Sequence, residues 1–375
     1  MSVLEELGLA SDELELVHRY RLDAQAFAHW RDELVHGRFP LERNRDRRAL
    51  SLPRPEDLTP WPEPGSREAT ACEEAGAEAI AQGQVAVAIL NGGMATRFGG
   101  KVKGVVEVVD GHSFLALRLS DLARAPGRVP VFLMNSFATD ADTAAHLESN
   151  RWFGLDRAEV HGVPQRVSIR VTPTGDMARD SRGHVLFYAP GHGDIFEVLA
   201  ESVGFQRFAA AGGRVVMVSN VDNLAATLSP KVVGAHLTAG RPVTVEVAPR
   251  APADRGGAPV RVGGRVEVLE GFRFPPEFDI NKIPVFNTNT MLFDVSMIRS
   301  DHALSWFRAD KTVDGRQVVQ FERLMGEVTA QVDATYLSVP RDGPESRFMP
   351  VKTPEDLIAV RPAVRQRFGR ERRNS

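Results

Sequence analysis

Apolar residues in this chain fall into short unbroken runs that stop abruptly at polar or glycine-rich stretches. The clearest, Val85-Ala86-Val87-Ala88-Ile89-Leu90, runs into Asn91-Gly92-Gly93-Met94-Ala95-Thr96-Arg97-Phe98-Gly99-Gly100-Lys101-Val102-Lys103. Residues 129–134 form a second run that stops at Asn135-Ser136, and residues 214–218 a third that stops at Ser219-Asn220-Val221-Asp222-Asn223. Runs without polar alternation are the pattern of strands buried on both faces. Between them lie helical patterns: residues 67–81, rich in Ala and Glu, and residues 114–122 behind the cap residue Ser113. A third passes through Ile195, Phe196, Val198, Leu199 and Phe205 behind Asp194, whose spacing to Glu197 suits a capping box. Buried strands alternating with helices predict an open α/β sheet whose ligands lie beyond the C-terminal ends of its strands.

Outside this core, residues 1–38 read as helical and as an appendage, and residues 40–65, with six prolines, as a connector lying over the surface. Residues 243–247 and 265–269 alternate as partly exposed strands, with a hairpin or mobile loop over residues 254–264. Residues 286–293, with the polar head Asn287-Thr288-Asn289-Thr290, bring the chain back to the sheet. Residues 361–373 hold six arginines and read as a solvated helix end or tail. The expected division is 1–70 for the helical segment and connector, 71–340 for the core, and 341–375 for a C-terminal segment carrying Lys352.

The strand-to-glycine-loop step beside Arg97, Lys101 and Lys103 is suited to cradling phosphates. Two familiar glycine loops do not fit it. A Walker loop ending at Gly100-Lys101 needs glycine at Ala95 and Ser or Thr at Val102, and a dinucleotide fingerprint needs alternating glycines in place of Gly92-Gly93. Two further sites attract anions in this reading: Gly191 and His192 ahead of the helix at Asp194, and Lys352 ahead of Thr353-Pro354. Asp222, at the end of a buried strand, is the candidate metal ligand.

Composition narrows the classes. A net charge of −3 over 375 residues carries no field for nucleic acid, and Cys72, the one cysteine, excludes an intrachain disulfide and suits a reducing compartment. No apolar run approaches the roughly 18 residues of a membrane span, so the expected setting is cytoplasmic, with no membrane partner.

Collinear motifs carry a resemblance: Leu90-Asn91-Gly92-Gly93 with Thr96 and Lys103, Met134-Asn135-Ser136-Phe137, Pro190-Gly191-His192-Gly193-Asp194, Ser219-Asn220-Val221-Asp222-Asn223-Leu224, Phe286-Asn287-Thr288-Asn289 and Pro350-Val351-Lys352. Together they resemble the eukaryotic-type UTP–glucose-1-phosphate uridylyltransferase family from about residue 75 to 357. The resemblance implies a Rossmann-like nucleotidyltransferase core with a mixed, mostly parallel sheet, joining a nucleoside triphosphate to a sugar 1-phosphate with Mg²⁺ and releasing pyrophosphate. It implies nucleotide contacts at Leu90, Asn91, Gly92, Gly93, Gln165 and Gly191, and phosphate-binding lysines at Lys103 and Lys352; Arg97, which the glucose enzymes often lack, resembles the Thr-Arg form of the broader nucleotidyltransferase signature and suits the β and γ phosphates. Sugar-phosphate contacts fall on His192, Asn220 and Asn289, and the metal on Asp222. Either Lys101 or Lys103 enters the site, because the family's Gly-Pro-Lys step is replaced here by Lys101-Val102-Lys103. Only 23 residues follow Lys352, where the glucose enzymes carry a C-terminal β-helix domain, so a monomer or a homodimer not built through that domain is expected. A relative using another sugar or cyclitol phosphate, or GTP, and an inactive nucleotide-sugar binding protein are the alternatives.

Overall fold

The computed structural model describes residues 7–95, 98, 100–252, 254 and 256–369. Eight strands form its central sheet: β1 (Thr59–Pro60), β2 (Val85–Leu90), β3 (Val131–Asn135), β4 (Val160–Pro164), β5 (Val215–Asn220), β6 (Val243–Pro249), β7 (Val285–Asp294) and β8 (Ala334–Ser338). Their spatial order is β1-β8-β6-β7-β5-β2-β3-β4. Only β7 runs against its neighbours; the other seven are parallel. The mostly parallel sheet expected from the sequence is therefore present.

Buried runs become central strands because both faces need apolar side chains. On β2, Ala86, Ala88 and Leu90 enter one core with Phe132, Met134, Val216 and Val218. Val85, Val87 and Ile89 enter the opposite core with Val131, Leu133, Val215 and Met217. The alternation along each strand is one of faces, with no polar side. Strand β6 corrects the expectation for residues 243–247: it is buried along Val243 to Ala248, because β7 and β8 flank it and cores cover both faces.

Nine α-helices are found among the described residues. They are α1 (Ser11–Arg19), α2 (Ala24–Val35), α3 (Arg67–Ala81), α4 (Phe114–Leu122), α5 (Asp140–Ser149), α6 (Ile195–Ala200), α7 (Val203–Ala210), α8 (Pro230–Ala239) and α9 (Pro354–Gly369). Ser113 caps α4 by accepting from the Ala116 amide, as its position predicts. The single amphipathic helix expected after Asp194 is two, α6 and α7. The N-terminal helices pack through Phe27 and Leu34 onto Ile169, Val171, Val319 and Phe321. The proline-rich connector does more than cross the surface, since Thr59 and Pro60 add β1 as an edge strand beside β8. The hairpin or loop expected over residues 254–264 is shifted: residues 258–262 form its first strand and pair with residues 265–269.

Candidate active site

The C-terminal ends of β2, β3, β4 and β5 open onto a cleft of about 340 Å³ lined by Leu90, Gly92, Gly93, Lys103, Met134, Gln165, Ala189, Gly191, His192, Asn220, Val221 and Asp222. Nine of the sequence-derived candidates therefore meet in one place, from segments spread over more than a hundred residues.

One end of the cleft is narrow and built from backbone. Gln165, just past β4, is buried and its Nε2 donates to the Gly191 carbonyl at 2.6 Å. Its Oε1 lies 2.6 Å from where a Cβ on Gly92 would sit, so only glycine leaves that space open. Gly191 has φ 97°, and a Cβ there would stand 2.3 Å from the Arg323 carbonyl. The Gly191-His192-Gly193 turn is pressed against the backbone of Arg323, with the Gly193 amide donating to the Arg323 carbonyl at 2.9 Å. That amide is thus taken up by the packing of the turn.

The His192 ring accepts at Nδ1 from the Met325 amide at 3.1 Å, which places the proton on Nε2. Burial pushes its pKa down to about 4, so His192 is an uncharged donor at neutral pH. The unfolded chain takes up this proton near pH 6.5 and the folded chain does not, so stability falls as pH drops from about 6.5 to about 4. An NMR titration is expected to show a neutral Nε2–H imidazole with a midpoint near 4, whereas a midpoint at or above 6.5 contradicts this environment.

Asp194 does not cap its helix. It is fully buried and accepts from Arg323 Nη2 at 2.7 Å, and Arg323 also donates to Glu197, which pairs with Arg166 at 2.9 Å. Burial outweighs this pairing and pushes the Asp194 carboxyl up to about 6. The set fixes the floor beneath Gly191 and beside Gln165. Arg323 and Arg166 were not marked by the sequence, because their partners lie far along the chain.

The other end of the cleft carries charge. Lys103 begins a 3₁₀ turn, Lys103–Val105, and its Nζ donates to Asp222 Oδ2 at 2.6 Å, with side chains 14% and 18% exposed. Lys101 is exposed on a two-residue strand, which leaves Lys103 as the lysine of the cleft. Arg97 lies outside the described residues. Lys352 is exposed and does not itself line the cleft, but Val351 next to it donates its amide to the Asp222 carbonyl at 3.1 Å. The helix start behind Lys352 is capped by Thr353, as expected. The amides of Lys352 and Thr353, just ahead of the helix, are taken by Asp356 Oδ2 at 2.8 and 2.9 Å.

Asn220 ends β5, and its Oδ1 accepts from Asn289 Nδ2 at 3.0 Å. Asn289 sits at φ 60°, in a bulge of β7 where its amide donates to Asn287 Oδ1 at 2.9 Å and the Thr290 amide donates to Thr288 Oγ1 at 3.2 Å. A left-handed asparagine inside a strand is held there by its surroundings. Its Oδ1 is buried and has no partner among the described residues. The Asn91 side chain is committed to the loop itself. Its side chain turns away from the cleft to donate to Asn135 Oδ1 and Thr143 Oγ1, both at 2.9 Å, and its amide bonds the Met134 carbonyl. It ties the loop to β3 and α5, and its Oδ1 has no partner among the described residues.

The chemistry of the donor set bears on a metal. Asp222 is the one carboxylate among the residues lining the cleft. One carboxylate beside space for phosphates fits a hard cation that takes most of its oxygens from substrate and water.

Comparison with known proteins gives a single picture. The profile of the UTP–glucose-1-phosphate uridylyltransferase family matches residues 56–367. A UTP–glucose-1-phosphate uridylyltransferase of Musa acuminata is 33% identical over 297 residues, covering 74% of this chain and 62% of the relative. The chain spans about three fifths of the length of the curated relatives it matches. Among solved structures, UDP-glucose pyrophosphorylase from Leishmania major in complex with UDP-glucose superposes with a TM-score of 0.64 at 26% identity, over 84% of this chain and 70% of the other. The uridine diphosphate N-acetylglucosamine pyrophosphorylase of Trypanosoma brucei shares the fold, with a TM-score of 0.76 at 21% identity over 96% of this chain and 81% of its own. Among the described residues no helix is long and apolar enough to cross a membrane.

Proposed function

This chain belongs to the UTP–glucose-1-phosphate uridylyltransferase family, and from that premise we propose that it joins UTP to a sugar 1-phosphate, glucose 1-phosphate first among them, releasing pyrophosphate. One observation carries the reading. A backbone-walled slot at Gly92, Gln165 and Gly191 and a charged end at Lys103 and Asp222 share one cleft past the strand ends. A flat base fits the first and a phosphate chain the second.

The reaction is in-line attack by a phosphate oxygen of the sugar phosphate on the α-phosphorus of UTP. Holding two polyanions in line is the main task, and positioning with cationic stabilisation performs it. Gln165 and Gly191 fix the base through the rigid floor of Arg323 and Asp194. Lys103 and Lys352 offset the charge that develops on the transferring phosphate. His192, a neutral donor at Nε2, and Asn220 with the unpartnered Oδ1 of Asn289 bind the sugar phosphate. Asp222 would hold Mg²⁺, which when bound neutralises the phosphates of UTP and aligns the leaving group.

Purified protein supplied with each nucleoside triphosphate and a panel of sugar 1-phosphates is expected to release pyrophosphate fastest with UTP and glucose 1-phosphate. Faster release with GTP or with another sugar phosphate shifts the specificity. No release with any pair, combined with tight binding of UDP-glucose, contradicts transfer.

A further inference from the structure

Beneath the loop that carries Asp222 lie three arginines that the chemistry above does not use. Arg118, on α4, donates from Nη1 to the carbonyls of Asn220 and Asn223 at 3.2 and 3.1 Å and from Nη2 to Ser219 Oγ at 2.8 Å. Arg347, beyond β8, donates to the Thr227 carbonyl at 2.7 Å. Arg367, on α9, donates to Thr227 Oγ1 at 3.0 Å and to the carbonyls of Ala225 at 3.4 Å and Ser346 at 2.7 Å. Three separate elements thus converge on residues 220–227. Arg367 is also a correction to the solvated tail expected from the sequence.

The three differ in how their charge is met. Arg347 forms a closed pair with Glu246, 2.6 Å apart and both buried. Arg118 is 2% exposed and has no carboxylate within ion-pair distance among the described residues. Its burial lowers its pKa to about 10, so it stays charged at neutral pH. Asp121, one turn along α4, and Asp222 offset its charge without a direct ion pair, so its burial is costly, and an apolar side chain at this place in α4 would avoid that cost. The return is geometric, because the two carbonyls it holds flank Asp222 on either side. Asp222's own carbonyl takes the Val351 amide, so the segment leading to Lys352 is tied to the same loop. The planar fork of arginine reaches three acceptors at once, and a lysine ammonium on a single point does not.

We propose that Arg118, backed by Arg367, is a positioning residue that holds loop 220–227 so that Asp222 faces the phosphate end of the cleft. The catalytic consequence rests on the uridylyl-transfer reading, whereas the effect on the loop does not.

The test compares wild type with Arg118→Lys, Arg118→Met and Arg367→Gln by amide hydrogen exchange over residues 219–227, and by kcat and KM for UTP with glucose 1-phosphate. Arg118→Met is expected to speed exchange in the loop by about 10-fold or more and to lower kcat by a similar factor, with KM for UTP within about 3-fold, since the base slot is untouched. Arg118→Lys gives an intermediate result and Arg367→Gln a smaller one in the same direction. If Arg118→Met does not fold, the other two variants decide. Loop exchange within about twofold of wild type in both overturns the proposal. Faster exchange with kcat unchanged overturns it too, because the arginine then stabilises without positioning. Should wild type make no UDP-glucose, the proposed function fails, and the exchange arm still decides whether the arginines hold the loop.

Discussion

Asp222→Asn is expected to reduce turnover by roughly 1000-fold or more, about 4 kcal/mol of barrier, while strengthening the binding of UTP in the absence of metal. The substitution keeps the shape of a side chain whose Oδ2 lies 2.6 Å from Lys103 Nζ and removes its charge. Without that charge the cleft has no carboxylate among its lining residues, so the Mg²⁺ requirement is lost together with activity. The same change frees the Lys103 ammonium to meet the triphosphate and removes an anion that repels it, which is why metal-free binding tightens. Opposite signs for binding and turnover distinguish a metal-holding carboxylate from a merely structural one. Calorimetry of UTP binding without metal and a Mg²⁺ titration of rate check both, and an unchanged titration contradicts the assignment.

Lys352→Ala is expected to lower kcat by about 100-fold, about 3 kcal/mol, with little change in thermal stability. Stability is spared because the side chain is exposed and the anchors on either side are made by main chain: Val351 to the Asp222 carbonyl, and the amides of Lys352 and Thr353 to Asp356. The lost group is a cation carried beside the Asp222 loop, where charge develops as pyrophosphate departs. Lys352→Arg keeps the charge and is expected to recover part of the rate. Near-normal kcat in Lys352→Ala shows the residue to be a surface lysine.

Much of this architecture was legible because local pattern and burial agree. Val85 to Leu90 has no polar position, and the structure places it between two parallel strands with a core on each face. The same logic misread residues 243–247, where Thr244 and Glu246 look like an exposed edge. Both are buried, and Glu246 is matched by Arg347 from a hundred residues away. The glycine loop, Asn220 and Asp222 were placed correctly at strand ends, and Gly191 just ahead of a helix, whereas the strand that delivers Gln165, Val160–Pro164, was not foreseen. Nor were the supports: Arg118, Arg323 and Arg347 act through partners distant in sequence, and an arginine in a helix or loop gives no local sign that it will be buried. Asn91 is a further case. It stands in the middle of the loop, and its side chain bonds Asn135 and Thr143, a support that no local pattern signals. Asp194 looked like a cap because its spacing to Glu197 is right, and Arg323 claims it instead.

Incubating the protein with UTP, Mg²⁺ and glucose 1-phosphate labelled with ¹⁸O on its phosphate oxygens, and following both phosphorus products by NMR, tests uridylyl transfer to the sugar phosphate most directly. The expected result is UDP-glucose and pyrophosphate in equal amounts, with all of the label in UDP-glucose, including its bridging oxygen. Label appearing in pyrophosphate, or UDP-glucose bound but never formed, contradicts it.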